Sequence, residues 1–306
     1  MLMKQSFCLV VFAVIILLIG CKDPNHYGNK EPVKLNLATS EKNSQDKAQN
    51  IYNRTVYVAI STMISPKETF SLYENLLKYI EKKLGIPIKL KQRKTYQEVN
   101  NLLKDGDLDF AYICSGAFVV ARKEFPLKIL AAPEIRGKPY YQAYIIVNKN
   151  SNISSFDELK GKTFAFTDPL SNTGYKFAIK LLNQIHSKPD QYFSKTIFTY
   201  AHDYSIQAVE RGLVDGAAID GLVYEYLKVN HPQRITNIKI IKKSEWFGIP
   251  PFVYTRNSNQ EIIKKIQNIL LNMHLDNKGK SILKDLQIDK FVLVDPSIYK
   301  SIESFN

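Results

Sequence analysis

Residues 171–174, Ser-Asn-Thr-Gly, are the part of the chain best equipped for chemistry. They follow Asp168-Pro169 and precede an apolar stripe at Phe177, Ala178, Leu181, Leu182 and Ile185, which has helical spacing. The first N–H groups of a helix have no intrahelical acceptor, and short hydroxyl or amide side chains accept from them. Ser171, Asn172 and Thr173 therefore admit two readings. One is a plain N-cap. The other is an oxyanion site, in which free N–H groups, the helix dipole and two hydroxyls hold a phosphate-like group without a cation. His202-Asp203 is the second capable pair. With Ser171 it superficially offers nucleophile, base and orienting acid, which would make a cleft hydrolase. Against that reading, the chain has no GxSxG elbow, no P-loop and no metal-spaced His/Cys/Asp group. Neither a catalytic residue, a metal nor a cofactor is expected.

The elements that must position these residues alternate. Residues 163–166 suit a buried strand, and Pro169 disfavours helix at Asp168 before it. Upstream, strands are expected at 55–61, 86–91, 108–113 and 127–131. Helical stripes lie between them at Phe70, Tyr73, Leu76, Leu77, Ile80 and Leu84, then at Tyr96, Val99, Leu102 and Leu103, then over 117–122. This order implies a parallel sheet with helices on both faces. Residues 140–147 read as one long strand and a crossing point, and Ser155 to Glu158 as a capping box. A second alternation follows, with strands at 197–200, 216–219 and 238–241 and helices at 205–211 and 222–229. The stretch 252–254 is a second crossing strand. Helices near 260–273 and 279–286, and one from Pro296, close the chain. The expected fold is α/β and two-lobed, with hinge strands between two parallel-dominated sheets. Residues 54–143 and 249–306 form lobe 1 and residues 144–248 form lobe 2. In such sheets ligands sit at strand C-terminal ends, so the cleft between the lobes is the expected site.

In the chain of 306 residues Lys4 gives a short basic start, followed by an unbroken apolar run over 9–19, too short for a membrane span of about 20 residues. Leu18-Ile19-Gly20-Cys21 then matches a lipobox. Residues 1–20 are expected to be a lipoprotein signal peptide, with Cys21 lipidated and the protein extracytoplasmic, held to the membrane by that lipid. Residues 21–53, rich in Asn, Lys, Ser, Gln and Glu, read as a flexible tether. Cys8 leaves with the leader and Cys21 is acylated, so Cys114 has no intramolecular partner and no disulfide forms. Its apolar surroundings point to a buried thiol. The formal charge is +13, with 42 basic residues against 29 acidic. No basic cluster is interleaved with aromatics, which argues against nucleic acid. An anionic membrane surface or anionic ligands fit the balance better.

Four pieces in order carry a family resemblance: Asp109-Phe110-Ala111-Tyr112; the 140–147 strand with the following 157–166; Asp168-Pro169-Leu170-Ser171-Asn172-Thr173-Gly174-Tyr175; and His202-Asp203 with Ala208-Val209, Gly212 and Val214-Asp215. The sequence resembles the extracytoplasmic phosphate/phosphite/phosphonate-binding proteins of ABC importers, the PhnD-like group of type II periplasmic binding proteins. The third segment stands where that family usually has DPxSTSGY. The resemblance implies a monomeric binding protein, not an enzyme, that captures a small oxyanion by hinge closure and docks on an ABC permease. By position, Ser171, Asn172, Thr173 and Gly174 would line the oxyanion pocket and His202 would donate to the same group. Asp220 would accept from a protonated ligand oxygen or an amine, or serve only as a helix N-cap. Tyr112 and Tyr140 would close over the ligand. Asn172 departs from the family's usual Thr. No acidic residue precedes Pro251, where members often have one, which disfavours an amine-bearing ligand and leaves phosphate, phosphite or a small alkylphosphonate. A sensory or surface lipoprotein with the same fold is the remaining alternative.

Overall fold

The computed structural model describes residues 54–303; the leader, Cys21 and the tether over 21–53 lie outside them. The first run comprises β1 (Val56–Ile60), α1 (Pro66–Leu84), β2 (Ile88–Leu90), α2 (Tyr96–Lys104), β3 (Phe110–Tyr112), α3 (Ser115–Glu124) and β4 (Leu127–Glu134). α1 stops at Gly85, whose φ of 72° is the left-handed C-cap a glycine adopts cheaply. α2 starts at a capping box between Thr95 and Glu98. The chain then passes through β5 (Tyr140–Tyr141) to β6 (Ala143–Asn148), β7 (Thr163–Phe166), α4 (Phe177–Gln184), β8 (Lys195–Phe198), α5 (His202–Glu210), β9 (Gly216–Asp220), α6 (Gly221–Asn230) and β10 (Ile238–Lys243). It returns through β11 (Phe247–Gly248) to β12 (Phe252–Thr255), α7 (Gln260–Asn272), α8 (Asn277–Asp285) and β13 (Lys290–Val292).

The strands form a six-stranded sheet, β13-β4-β12-β3-β1-β2, and a five-stranded sheet, β10-β6-β9-β7-β8. β5 and β11 pair by themselves as a two-stranded antiparallel ribbon where the chain crosses. In the first sheet β1 to β4 share one direction, with β12 wedged antiparallel between β3 and β4. In the second, β7, β8, β9 and β10 share one direction and β6 opposes them. Leu76, Ile80, Phe110, Phe252, Ile262 and Ile266 pack the first sheet's core, and Ile146, Ala217, Ile219, Ile206 and Val209 that of the second. Each of the larger of these side chains, Val, Leu, Ile or Phe, contributes about 1.5–3 kcal/mol on burial.

Several expectations need correction. The 140–147 strand is broken at Gln142, so two residues serve the ribbon and six the second sheet. Residues 252–254 do not cross between sheets; β12 belongs wholly to the first. The box that opens the 157–159 turn uses Ser154, whose N–H and hydroxyl reach Glu158, rather than Ser155. Phe70 and Ile185 are exposed, off their helices' buried faces. The segment from Pro296 is a 3₁₀ turn followed by one helical turn. Cys114 is fully buried, as expected. No helix among the described residues is long and apolar enough to cross a membrane.

Candidate functional site

β7 delivers the chain to Thr167 and Asp168 at its C-terminal end, where sheet ligands bind. Asp168 turns the chain by accepting the Leu170 N–H at 2.8 Å and also accepts the Tyr96 N–H, at the start of α2, at 3.0 Å. Ser171 then caps a wide turn over Asn172–Lys176: its hydroxyl accepts the Gly174 N–H at 2.9 Å. The Lys176 N–H reaches the Ser171 carbonyl at 3.0 Å, an i→i+5 bond that makes this turn π-helical. Such wide turns recur at functional sites. The N-cap reading thus holds for Ser171, while Thr173 Oγ1 and Asn172 Oδ1 are buried with no protein partner.

Two bare backbones permit this geometry. A Cβ on Gly174 would lie 2.8 Å from His202 Cε1, and one on Gly116 would lie 2.3 Å from the Leu170 carbonyl oxygen. Gly116 thus lets the start of α3, on the first sheet, press against the turn from the second. Burial pushes the adjacent Cys114 thiol up, although the Asn172 N–H bonds to it. The Ser115 hydroxyl meets that of Tyr141 at 2.5 Å. Lys176 is buried at the end of the turn and its ammonium is pushed down to about 8 by that burial.

His202, fully buried at the start of α5, is held through Nδ1, with Thr167 Oγ1 at 3.0 Å and the Asp220 N–H at 3.0 Å. A backbone N–H can only donate, so Nδ1 carries the lone pair and the ring proton sits on Nε2. Nε2 lies 3.5 Å from Ser171 Oγ. Burial lowers the ring's pKa to about 3, so His202 is a neutral donor at physiological pH. The triad reading fails on geometry. Asp203 does not orient the ring; its carboxylate accepts the Ser65 N–H at 2.8 Å and meets Arg234 at 3.4 Å. Among the described residues no group of His, Cys, Asp or Glu could hold a metal ion.

Asp220 ends β9 and caps α6, accepting the Leu222 N–H at 2.7 Å. Burial pushes its carboxyl up to about 7. It also lines a cavity of about 60 Å³, with Ser61, Tyr73 and Tyr112. Burial raises both tyrosines' pKa values, and the two rings lie 5.7 Å apart, centre to centre. Ser61 Oγ and Tyr96 OH are buried without partners. Tyr112 and Asp220 are therefore brought together beside His202, whereas Tyr140 faces a different cavity with Arg136 and Trp246. Ser171, Asn172, Thr173 and His202 are fully buried and do not line the Asp220 cavity. Sequence reasoning missed Ser61, Tyr73 and Tyr96. Ser61 follows the C-terminal end of a strand, the usual ligand position. The two tyrosines looked like core because their helical spacing hides a hydroxyl that needs a partner.

A family model described as ABC transporter, phosphonate, periplasmic substrate-binding protein matches residues 58–299. A probable ABC transporter phosphite binding protein of Prochlorococcus marinus is 24% identical over 74% of this chain and 80% of that protein. A phosphate-import protein of Mycolicibacterium smegmatis is 25% identical over 76% of this chain and 77% of its own. A crystal structure of a binding protein component of a Pseudomonas aeruginosa ABC phosphonate transporter superposes with a TM-score of 0.77 at 24% identity, covering 82% of this chain and 85% of that one. A Prochlorococcus marinus protein in complex with methylphosphonate superposes with a TM-score of 0.74 at 21% identity, covering 82% and 96% of the two chains. These structures share the fold.

Proposed function

Since the chain belongs to the family of periplasmic substrate-binding proteins of phosphonate ABC transporters, we propose that it captures a tetrahedral oxyanion at the turn over residues 171–174 and delivers it to an ABC permease. The protein is a binding protein, not an enzyme. The relatives named for phosphite and for phosphate frame the ligand as phosphate, phosphite or a small phosphonate. Thr173, the Asn172 amide and His202 Nε2–H would be the donors of the second lobe, and Tyr112 and Ser61, which line the Asp220 cavity, those of the first. Asp220 accepts from a protonated ligand oxygen. Residues 54–143 and 249–306 would form lobe 1 and residues 144–248 lobe 2, rotating about the β5–β11 ribbon. Closure follows from donors on both lobes, because a ligand that bridges them binds the closed state better and shifts the population toward it. Cys21 would carry a lipid that keeps the monomeric protein at the outer face of the cell membrane.

The observation that carries this reading is a neutral, buried imidazole whose single proton points at Ser171, beside the unpartnered Thr173 hydroxyl. Titration calorimetry with phosphate, phosphite and methylphosphonate tests it. Saturable binding of at least one is expected, and loss of about 1–3 kcal/mol in Thr173→Ala, the range for leaving a charge-assisted partner unpaired. Binding of none of the three, or full affinity in Thr173→Ala, would overturn it.

A further inference from the structure

An open pocket of about 560 Å³ is built entirely by segments that belong to the first sheet: the turn after β4, the 273–275 turn, α8 and the approach to β13. None of the residues proposed to hold the oxyanion lines it. Its charge is one-sided. Arg136, Lys280 and Lys284 line it with a single carboxylate, Asp289, which already accepts the Gly137 N–H at 2.8 Å. Lys280 and Lys284 stand four residues apart on α8, a spacing at which like charges repel. Arg136 is 73% exposed and meets Glu225 at 3.6 Å, a surface contact too weak to commit it.

The pocket also holds two unsatisfied groups. His274 Nδ1 and the Gln287 side-chain nitrogen are buried with no partner, and both residues line it. Buried polar atoms are bonded in the great majority of cases, so two of them at one pocket mark a place where a ligand completes the set. Arg136 and Gln287 are further held in left-handed backbone, at φ 53° and 56°. Backbone of that kind costs energy and collects at ligand clamps. The floor is apolar, with Leu283 and Ile288 buried. A bare anion would leave most of this volume unfilled and the floor uncovered. Leu275, next in the chain to His274, is 66% exposed, an apolar side chain with no core to serve.

We propose that this pocket is a second anion site, separate from the oxyanion turn, for a glycerol phosphate group, free or at the head of a phospholipid. Arg136, Lys280 and Lys284 hold the phosphate oxygens, the Gln287 amide and the His274 ring bond the polyol, and Leu283 and Ile288 carry its carbons. The proposal does not rest on the oxyanion reading. Two imidazoles report the two places separately: His274 in this pocket and His202 at the turn. Histidine ring NMR signals, followed at fixed pH and ionic strength, test it with sn-glycerol 3-phosphate, soluble dihexanoyl phosphatidylglycerol and, as the zwitterionic control, dihexanoyl phosphatidylcholine. The His274 signal should shift saturably with one or both anionic compounds, and which of them acts tells the free source from the lipid. In the Lys280→Gln/Lys284→Gln double variant the midpoint should rise at least tenfold, the loss of two charge-assisted bonds. Both lysines are exposed, so the double variant should melt with wild type. Thr173→Ala should leave the His274 midpoint within about twofold of wild type. A His274 signal that neither anionic compound moves, that moves equally with phosphatidylcholine, or that keeps its midpoint in the double variant would overturn the site. A shift at His202 alone would place the compound at the turn and overturn it as well.

Discussion

Asp203, in the first turn of α5, accepts the backbone N–H of Ser65 at 2.8 Å, and Ser65 precedes α1 on the other sheet. The same carboxylate meets Arg234 at 3.4 Å, and Arg234 reaches Glu68 of α1 at 3.6 Å. His202 N–H adds a bond to the Met63 carbonyl at 3.0 Å. Asp203 is buried, so its charge relies on these partners. The carboxylate also sits at a helix N-terminus, where negative charge is favoured. Together these contacts tie one sheet's β1–α1 connection to the other sheet's α5 across the cleft.

Asp203→Asn keeps the size but weakens both bonds. Ligand affinity should fall by about 1–3 kcal/mol although the residue lies outside the proposed oxyanion contacts. Solution scattering should show a more extended ligand-free protein than wild type. Unchanged affinity and an unchanged radius of gyration would exclude a latch here.

Thr173→Val removes a buried hydroxyl that no protein group satisfies. Such an atom costs stability in the ligand-free protein, so the valine variant should melt higher without ligand and bind the oxyanion more weakly. Ser171→Ala should instead lose both, because its hydroxyl caps the turn, a contact of about 0.5–2 kcal/mol. Paired melting curves and calorimetry separate the two residues.

His202 has a folded pKa of about 3 against 6.5 for a free imidazole. A depressed value means the folded state resists protonation, so the stability tied to this ring is fully present above pH 6.5 and is lost as pH falls toward 3. His202→Gln should flatten the stability profile across that interval. A profile as steep as wild type would place the acid sensitivity elsewhere.

Asp220 has the opposite sign. Its pKa rises from 3.8 to about 7 on folding, so its contribution is present below 3.8 and is lost as pH climbs through 7. Asp220→Asn still caps α6. It should melt above wild type at pH 8, with the gap closing toward pH 4, in denaturation scans at matched ionic strength.

Cys21→Ser should leave ligand affinity intact and move the protein from the membrane fraction to the soluble one. Retention in the membrane would contradict lipidation at that position.

The stretch 159–182 was legible because local chemistry dictates it: β-branched and aromatic residues, then Pro169, then a hydroxyl cap, then a helical stripe. The insertion of β12 between β3 and β4 was not, because no local signal says which distant strand returns beside which. β13 has only three residues, too few to show a period. The family resemblance alone sets Tyr140 over the ligand. The break at Gln142, whose side chain donates to the Ser244 carbonyl, turns Tyr140 toward Trp246 instead. His202 was identified only by its company, since a single imidazole in sequence carries no sign of the Asp220 N–H that sets its tautomer.

Gly116 has one more implication. The Leu170 carbonyl and the Asn172 nitrogen occupy the space a side chain would need there, at 2.3 and 2.7 Å. An alanine at that position would act as a wedge between α3 and the turn, a way to hold the molecule ajar by a single methyl group without substituting any residue proposed to touch the anion.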